Sequence, residues 1–287
     1  MITLREAWHR GARFLGRAGV ETPVLDTEVL LRHITGLNRE EFYRELLAPL
    51  PSQLMPDWEH MLNRRAQGTP VAYLVGKREF FKLMLQVTPA ALIPRPETEV
   101  LVERVLELVR ETLLAPTASI LDIGTGCGAI AISLAVNLPR ARITATDISP
   151  AALELAQQNA CYHGVAERVQ FCRADLWPPQ DQASLFHSVV ANPPYIPSPE
   201  LSQLGPEVQQ EPAEALNGGP DGLFYYRRII ADIHKYLLPR GWLLFEVGAG
   251  QADEVSRLLA AAGFTVLPPV LDLAGRPRVV QARYTST

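Results

Sequence analysis

Leu121-Asp122-Ile123-Gly124-Thr125-Gly126-Cys127-Gly128-Ala129 is the stretch that decides the fold. Residues 119–123 form a short apolar run, and residues 128–137 continue as an apolar segment of helical length. A strand that passes through glycines into a helix is the first turn of a βαβ unit, where glycine permits a tight turn and leaves main-chain atoms open to a ligand. Outward from it, strands and helices alternate. Strands are expected near 142–147, 168–172, 186–191 and 242–247, and helices near 150–162, 222–238 and 251–262. The tail supplies two more strands, Phe264 to Leu271 and Arg278 to Tyr284, joined by Asp272-Leu273-Ala274-Gly275-Arg276-Pro277. The pattern predicts an α/β fold, a Rossmann-like, seven-stranded, mostly parallel sheet with helices on both faces and its last strand antiparallel.

The glycine spacing narrows the ligand. Gly-x-Gly-x-Gly lacks the last glycine of the dinucleotide pattern, and no Lys-Ser/Thr pair follows it, which excludes a P-loop. S-adenosylmethionine has no phosphate and lays its adenosine and methionine across such a loop. Two carboxylates fall at the next strand ends. Asp147 is placed to accept from both ribose hydroxyls, and Asp175 from the adenine amino group, with Leu176 and Trp177 beside it as candidates for the adenine face. The cofactor candidates are therefore Gly124, Thr125, Gly126, Cys127, Gly128, Asp147, Asp175, Leu176 and Trp177, together with Asn192. Any one carboxylate alone would serve equally as a strand-end cap.

The fourth strand, Ser188-Val189-Val190-Ala191, runs into Asn192-Pro193-Pro194-Tyr195. Two consecutive prolines cannot continue a ladder, so the strand stops at Asn192. Taken alone the tetrapeptide is a stiff turn. In the crevice beyond the strand ends it also offers a polar amide and an aromatic ring.

The first third reads as a helical bundle. Thr3 with Glu6 and Asn38 with Glu41 are capping boxes, Asp26 is a candidate cap for a second helix, and a fourth helix spans about 53–67. Residues 1–69 are expected as a helical domain, for substrate recognition or for structure alone. Residues 70–92 are expected as a β-hairpin linker that includes Tyr73-Leu74-Val75-Gly76, and residues 93–287 as the catalytic domain.

Composition sets the remaining bounds. The 287 residues are 47% hydrophobic and 20% charged, as in ordinary globular proteins. Charges near the amino terminus and the lack of a long apolar run predict a cytoplasmic chain without a membrane span. Residues 1–85 carry 12 Lys and Arg against 10 Asp and Glu, and the rest carry 15 against 21. An acidic catalytic half lowers the expectation of direct nucleic-acid binding. Cys127, Cys161 and Cys172 have neither zinc spacing nor an even count, and read as buried thiols.

The series Asp122-Ile-Gly-Thr-Gly-x-Gly, Asp147, Asp175 and Asn192-Pro-Pro-Tyr195 resembles the class I S-adenosylmethionine-dependent methyltransferases that alkylate planar nitrogens. Further motifs resemble the HemK/PrmC family, the glutamine methyltransferases of peptide chain release factors. They are Pro70-Val71-Ala72-Tyr73-Leu74-x-Gly76, Arg78-Glu79-Phe80, Ile93-Pro94-Arg95-Pro96-Glu97-Thr98-Glu99, Glu211-Pro212, Asp221-Gly222 and Arg276-x-Arg278. One departure is Gln210, where the family has a bulky residue.

The resemblance implies methyl transfer from S-adenosylmethionine, leaving S-adenosylhomocysteine, to the glutamine of the Gly-Gly-Gln loop in class I release factors. It implies that Asn192 Oδ1 and the Pro193 carbonyl accept the two hydrogens of the substrate amide. Pro194 stiffens the pair and Tyr195 packs over the amide plane. Asn192, Pro193 and Tyr195 are the expected catalytic residues, with Pro194 among the substrate contacts. No general base and no metal are expected. Two rival readings remain, an adenine-amino methyltransferase acting on DNA or RNA and a non-catalytic cofactor-binding module.

Overall fold

The computed structural model describes residues 2–111, 113–179 and 185–285. The outermost limits expected for the domains, residues 1 and 287, lie outside them. The chain divides into two compact units. One comprises residues up to Lys77 with Leu204–Gln210, and the other comprises Arg78–Gln203 with the chain from Glu211 onward.

The first unit contains α1 (Leu4–Arg17), α2 (Pro23–Thr35), α3 (Arg39–Arg44), α4 (Met55–Ala66) and α5 (Val71–Val75). Both capping boxes form: Thr3 and Glu6 open α1, and Asn38 and Glu41 open α3, each pair exchanging side-chain and backbone hydrogen bonds. Leu4, Ala7, Leu15, Leu30, Leu31, Phe42, Trp58 and Leu62 make the shared core. Gly11 permits close helix packing, since a Cβ there would stand 2.6 Å from Thr27 and 2.7 Å from Trp58.

Two expectations fail in this unit. Asp26 does not cap α2, which starts earlier at Pro23, a residue whose fixed φ suits a first helical position. Its carboxylate instead accepts from the Thr22 hydroxyl at 2.7 Å and the buried Arg65 Nε at 2.6 Å. Arg65 also pairs with Glu207, which belongs to the same unit. Tyr73 to Val75 are helical rather than extended: Pro70 opens α5, Gly76 closes it at φ 71°, and Leu74 is buried in the helical core. Burial overrides the β preference of these side chains.

β1 (Lys77–Phe80) and β2 (Leu83–Gln86) form the expected hairpin. Then follow α6 (Glu99–Arg110), β3 (Ser119–Ile123), α7 (Ala129–Asn137), β4 (Arg142–Asp147), α8 (Pro150–Tyr162), β5 (Val169–Arg173) and β6 (Phe186–Ala191). α9 (Phe224–Asp232), β7 (Leu237–Glu246), α10 (Ala252–Ala261), β8 (Phe264–Leu271) and β9 (Pro277–Tyr284) complete the unit.

The seven-stranded sheet has the order β5-β4-β3-β6-β7-β9-β8, with β9 antiparallel to both of its neighbours. β7 begins five residues earlier than expected. Leu237 pairs with Phe186, the chain bulges, and pairing resumes with Trp242 opposite Ser188, which shortens the preceding helix. Among the described residues no helix is long and apolar enough to cross a membrane.

The strand order reverses between β3 and β6, and it is there, beyond the carboxyl ends, that such sheets bind ligands. Ile123 faces Ala191 across the ladder, so Gly124 and Asn192 leave the sheet side by side. Ala191 in turn faces Phe245, which brings Glu246 to the same level.

Candidate active site

The loop after β3 is held by its own backbone. Gly124, Gly126 and Gly128 have φ of 72°, 57° and 87°, values that strain any side-chain-bearing residue. The N–H groups of Gly124 and Thr125 both donate to the Thr146 carbonyl at 2.9 Å, and Gly126 N–H donates to Asp147 Oδ2 at 2.8 Å. Under the loop lies Asp122, fully buried, accepting from the Thr125 hydroxyl at 2.7 Å and from Ala131 N–H at 3.2 Å. Burial pushes its carboxyl up to about 7, against the pull of those two bonds.

One cavity lies over this loop, and it brings together Gly124, Thr125, Gly126, Cys127, Asp147, Asp175, Leu176, Asn192, Pro193 and Pro194. Asp147 holds Ser149 N–H through Oδ1 at 2.9 Å, and burial raises its pKa. Asp175 is exposed and makes a two-pronged pair with Arg228 at 3.1 and 2.9 Å. Leu176 adopts φ 74°, its carbonyl accepting from the Thr146 hydroxyl at 2.7 Å.

Three expected site residues are not on the cavity wall. Gly128 caps α7, and a Cβ there would meet Ile132 at 2.7 Å and Ala156 at 3.2 Å, so glycine permits the close packing at this point. Trp177 turns into the core and stacks on Tyr236, with ring centroids 4.4 Å apart and planes 5° apart. The Tyr195 side chain packs against the same core. Its phenol is pushed up, first by burial and then by the Glu246 carboxylate.

Cys127 and Cys172 are buried as expected, whereas Cys161 is exposed on α8. Burial raises the Cys127 thiol to about 12, which keeps it protonated and unreactive at neutral pH.

The loop after β6 is clamped from behind. Gly218 N–H donates to the Ile196 carbonyl at 2.8 Å, and Ile196 N–H to the Leu216 carbonyl at 3.0 Å. Gln251 donates to the Tyr195 carbonyl at 3.0 Å and accepts from Gly248 N–H at 3.0 Å. Gly222 leaves room for this contact, since a Cβ there would stand 2.4 Å from the Tyr195 carbonyl.

Two motifs distant in sequence also meet. The buried Glu211 carboxylate accepts from Ile93 N–H at 2.9 Å and pairs with Arg95, which lines the cavity. Sequence reasoning missed Thr98, Glu246, Gln251 and Arg228. A signal existed for Glu246 alone, a lone carboxylate ending the apolar run Trp242-Leu243-Leu244-Phe245.

Comparison with known proteins bears directly on this geometry. The family described as the PrmC N-terminal domain matches residues 6–76, and the methyltransferase small domain matches residues 98–219. A release factor glutamine methyltransferase from Moorella thermoacetica is 46% identical over 283 residues, covering 96% of this chain and 97% of the relative. The chain belongs to the release factor glutamine methyltransferase family. Members from Geobacter sulfurreducens (41% identical; 96% of this chain, 94% of the relative) and Coxiella burnetii (38%; 99% of each) agree along the whole length.

Solved structures similar in fold include the hMettl16 catalytic domain in complex with a MAT2A 3'UTR hairpin. Its TM-score is 0.60 at 16% identity, over 77% of this chain and 84% of that one. A methyltransferase from Pyrococcus furiosus gives 0.53 at 16%, over 78% and 99%. They establish the class I methyltransferase fold of the catalytic unit.

S-adenosylmethionine is the methyl donor that goes with this family, and the residues present fit it. A Cβ at Gly124 would point into open space, so the glycine leaves the loop's main chain bare toward a ligand. Ile123, Ile130, Ile148 and Leu176 supply apolar walls for an adenosine, beside the two carboxylates.

Proposed function

We propose that this protein transfers a methyl group from S-adenosylmethionine to the side-chain amide nitrogen of the glutamine in the Gly-Gly-Gln loop of class I peptide chain release factors. The observation that carries the reading is the position of Asn192-Pro193-Pro194 on the wall of the cavity that also holds the glycine loop, in a chain 46% identical to a release factor glutamine methyltransferase.

An amide nitrogen is a poor nucleophile, because its lone pair is delocalised into the carbonyl. Bound S-adenosylmethionine supplies an activated methyl on a sulfonium, so the protein's main task is alignment, which can contribute several kcal/mol. Asn192 Oδ1 and the Pro193 carbonyl accept the two N–H groups of the substrate. They hold the nitrogen and favour the positive charge that develops on it. The two prolines keep this acceptor pair rigid. Asp147 accepts from the ribose hydroxyls, and Gly124 to Cys127 line the methionine end. Tyr195 supports the loop from its core side. The methylated amide cation loses its proton to water, so no general base is needed.

The helical region of residues 1–69 recognises the body of the release factor, and the reaction takes place in the cytoplasm. Transfer of a labelled methyl group tests the reading. Label is expected on purified release factor, and none on the factor with its loop glutamine replaced, on DNA or on RNA. Label on nucleic acid with none on the factor would overturn it.

A further inference from the structure

Asn192 is a symmetric-looking amide with opposite ends, and only one end suits the proposed chemistry. A substrate amide presents two N–H donors, so Asn192 must offer its oxygen; turned over, it would set donor against donor. The tetrapeptide itself does not fix this choice, since an amide end can be exchanged by a half-turn about its last torsion. Something outside the motif must decide.

The structure holds a chain of polar groups that can. Asn192 Nδ2 donates to Thr98 Oγ1 at 3.2 Å. Thr98 lies in the turn before α6, 94 residues away in sequence, and is buried with only 4% of its surface exposed. Its hydroxyl is the neighbouring polar group that most favours the charged form of the Glu246 carboxylate at the end of β7. Glu246 is itself buried, at 2% exposed, and its second oxygen Oε2 has no hydrogen-bond partner among the described residues. A carboxylate can only accept. With Glu246 ionised, the Thr98 hydroxyl turns its single proton toward that charge, and its oxygen is left to accept from Asn192. That forces the NH2 end of Asn192 toward Thr98 and leaves Oδ1 for the cavity that Asn192 lines.

We propose that Thr98 and Glu246 are positioning residues that set the orientation of the Asn192 amide, so that Oδ1 is the end presented to the substrate. The proposal rests on the reading of Asn192 as acceptor for the substrate amide. It explains why a carboxylate is kept in an apolar strand end, where burial without full pairing is costly.

The relay is polarised in this sense only while Glu246 is ionised. A protonated carboxyl can donate to Thr98, which then donates to Asn192 and turns the amide over. Burial pushes the Glu246 carboxyl up to about 7. The groups facing it are the Thr98 hydroxyl, Glu97 and Arg95 from the segment before α6, Arg278 from β9, Tyr195 from the loop after β6 and Tyr226 from α9. Arg278 and Arg95 favour ionisation and Glu97 opposes it.

The test is kcat and KM for release factor, with S-adenosylmethionine affinity by calorimetry, on Thr98→Val, Thr98→Ser, Glu246→Gln and Asn192→Ala over pH 6 to 9. Thr98→Val preserves shape and removes the relay. It is expected to lower kcat by about tenfold to a hundredfold, as for a small misplacement of a reacting group, with cofactor affinity within about twofold of the parent by the same logic. Thr98→Ser restores the hydroxyl and is expected to recover most of that loss. The parent should lose kcat as the pH falls through about 7, and Glu246→Gln should flatten that limb.

Parental kcat in Thr98→Val would overturn the proposal, as would a Thr98→Ser enzyme as slow as the valine variant. A loss of cofactor affinity matching the loss of kcat would overturn it too. Asn192→Ala separates the two levels of the argument. Undiminished transfer in that variant would remove the acceptor reading itself, whereas its loss alongside a normal Thr98→Val enzyme would remove the relay alone.

Discussion

The two walls of the cavity are built differently. The wall after β3 is made of main chain: the left-handed glycines Gly124 and Gly126, N–H groups turned onto the Thr146 carbonyl, and one carboxylate 21 residues on. The wall after β6 is made of side chains held from a distance, with Asn192 on Thr98, Glu211 on Ile93 and Arg95, and Gln251 on Tyr195. A backbone-built wall keeps its shape as long as the glycines stay. A side-chain-built wall depends on every partner being present and correctly protonated.

That contrast predicts where substitutions hurt most. Glu211→Ala should have the largest effect on stability, because it leaves Arg95 and the Ile93 N–H without their buried partner. A stability loss of about 3 kcal/mol is expected, measured by denaturant unfolding, with transfer falling in parallel. A loss below about 1 kcal/mol, the range of a surface pair, would mean that the second wall does not lean on this contact.

Asp147→Asn probes the first wall. The amide keeps the shape but exchanges an acceptor for a donor, so S-adenosylmethionine affinity should fall by about tenfold, the value of one charge-assisted hydrogen bond. The turnover rate at saturating cofactor should change little, as calorimetry and steady-state kinetics would show.

The pH response is the next in size. Asp122 and Glu246 are both pushed up to about 7 by burial, whereas an unfolded carboxyl titrates near 4. The folded protein therefore binds these protons more tightly than the unfolded chain. The associated stability is complete below about pH 4 and is lost as the pH rises through about 7. The melting temperature should drop by a few degrees, about 3 °C or more, between pH 6 and 8. Asp122→Asn should flatten that slope.

Arg228→Ala should have the smallest effect. Its pair with Asp175 is solvent-exposed, so stability should change by less than about 1 kcal/mol, and the freed carboxylate keeps its place on the cavity wall. A large change in melting temperature would show that this exposed pair is a structural support.

The same contrast explains what could be read from the sequence. The glycine loop, Asp147, and the strands from β3 to β6 were legible because each signal is local: glycine where φ is positive, proline where a ladder ends, β-branched runs in the sheet. The start of β7 was not, because its bulge is set by pairing with Phe186 and leaves no local mark. Trp177 stands beside Asp175 in sequence and Tyr195 closes the motif that carries the resemblance, and packing of both side chains against the core, next to the left-handed turn at Leu176 and the clamp on Tyr195, leaves no local mark in the sequence. Asp26 read as a cap because its partner Arg65 lies 39 residues away. Thr98 stood within a recognised motif without a visible role, since its partners are 94 and 148 residues distant, at Asn192 and Glu246.

The most direct test of the account is one variant measured twice. Asn192→Ala should abolish methyl transfer to release factor, by about a thousandfold in kcat, the scale expected for losing a group that stabilises developing charge. S-adenosylmethionine affinity by calorimetry should stay close to that of the parent. Transfer and cofactor affinity lost together, or transfer left intact, would contradict the division of the cavity into a backbone-built cofactor wall and a side-chain-built wall that holds the substrate amide.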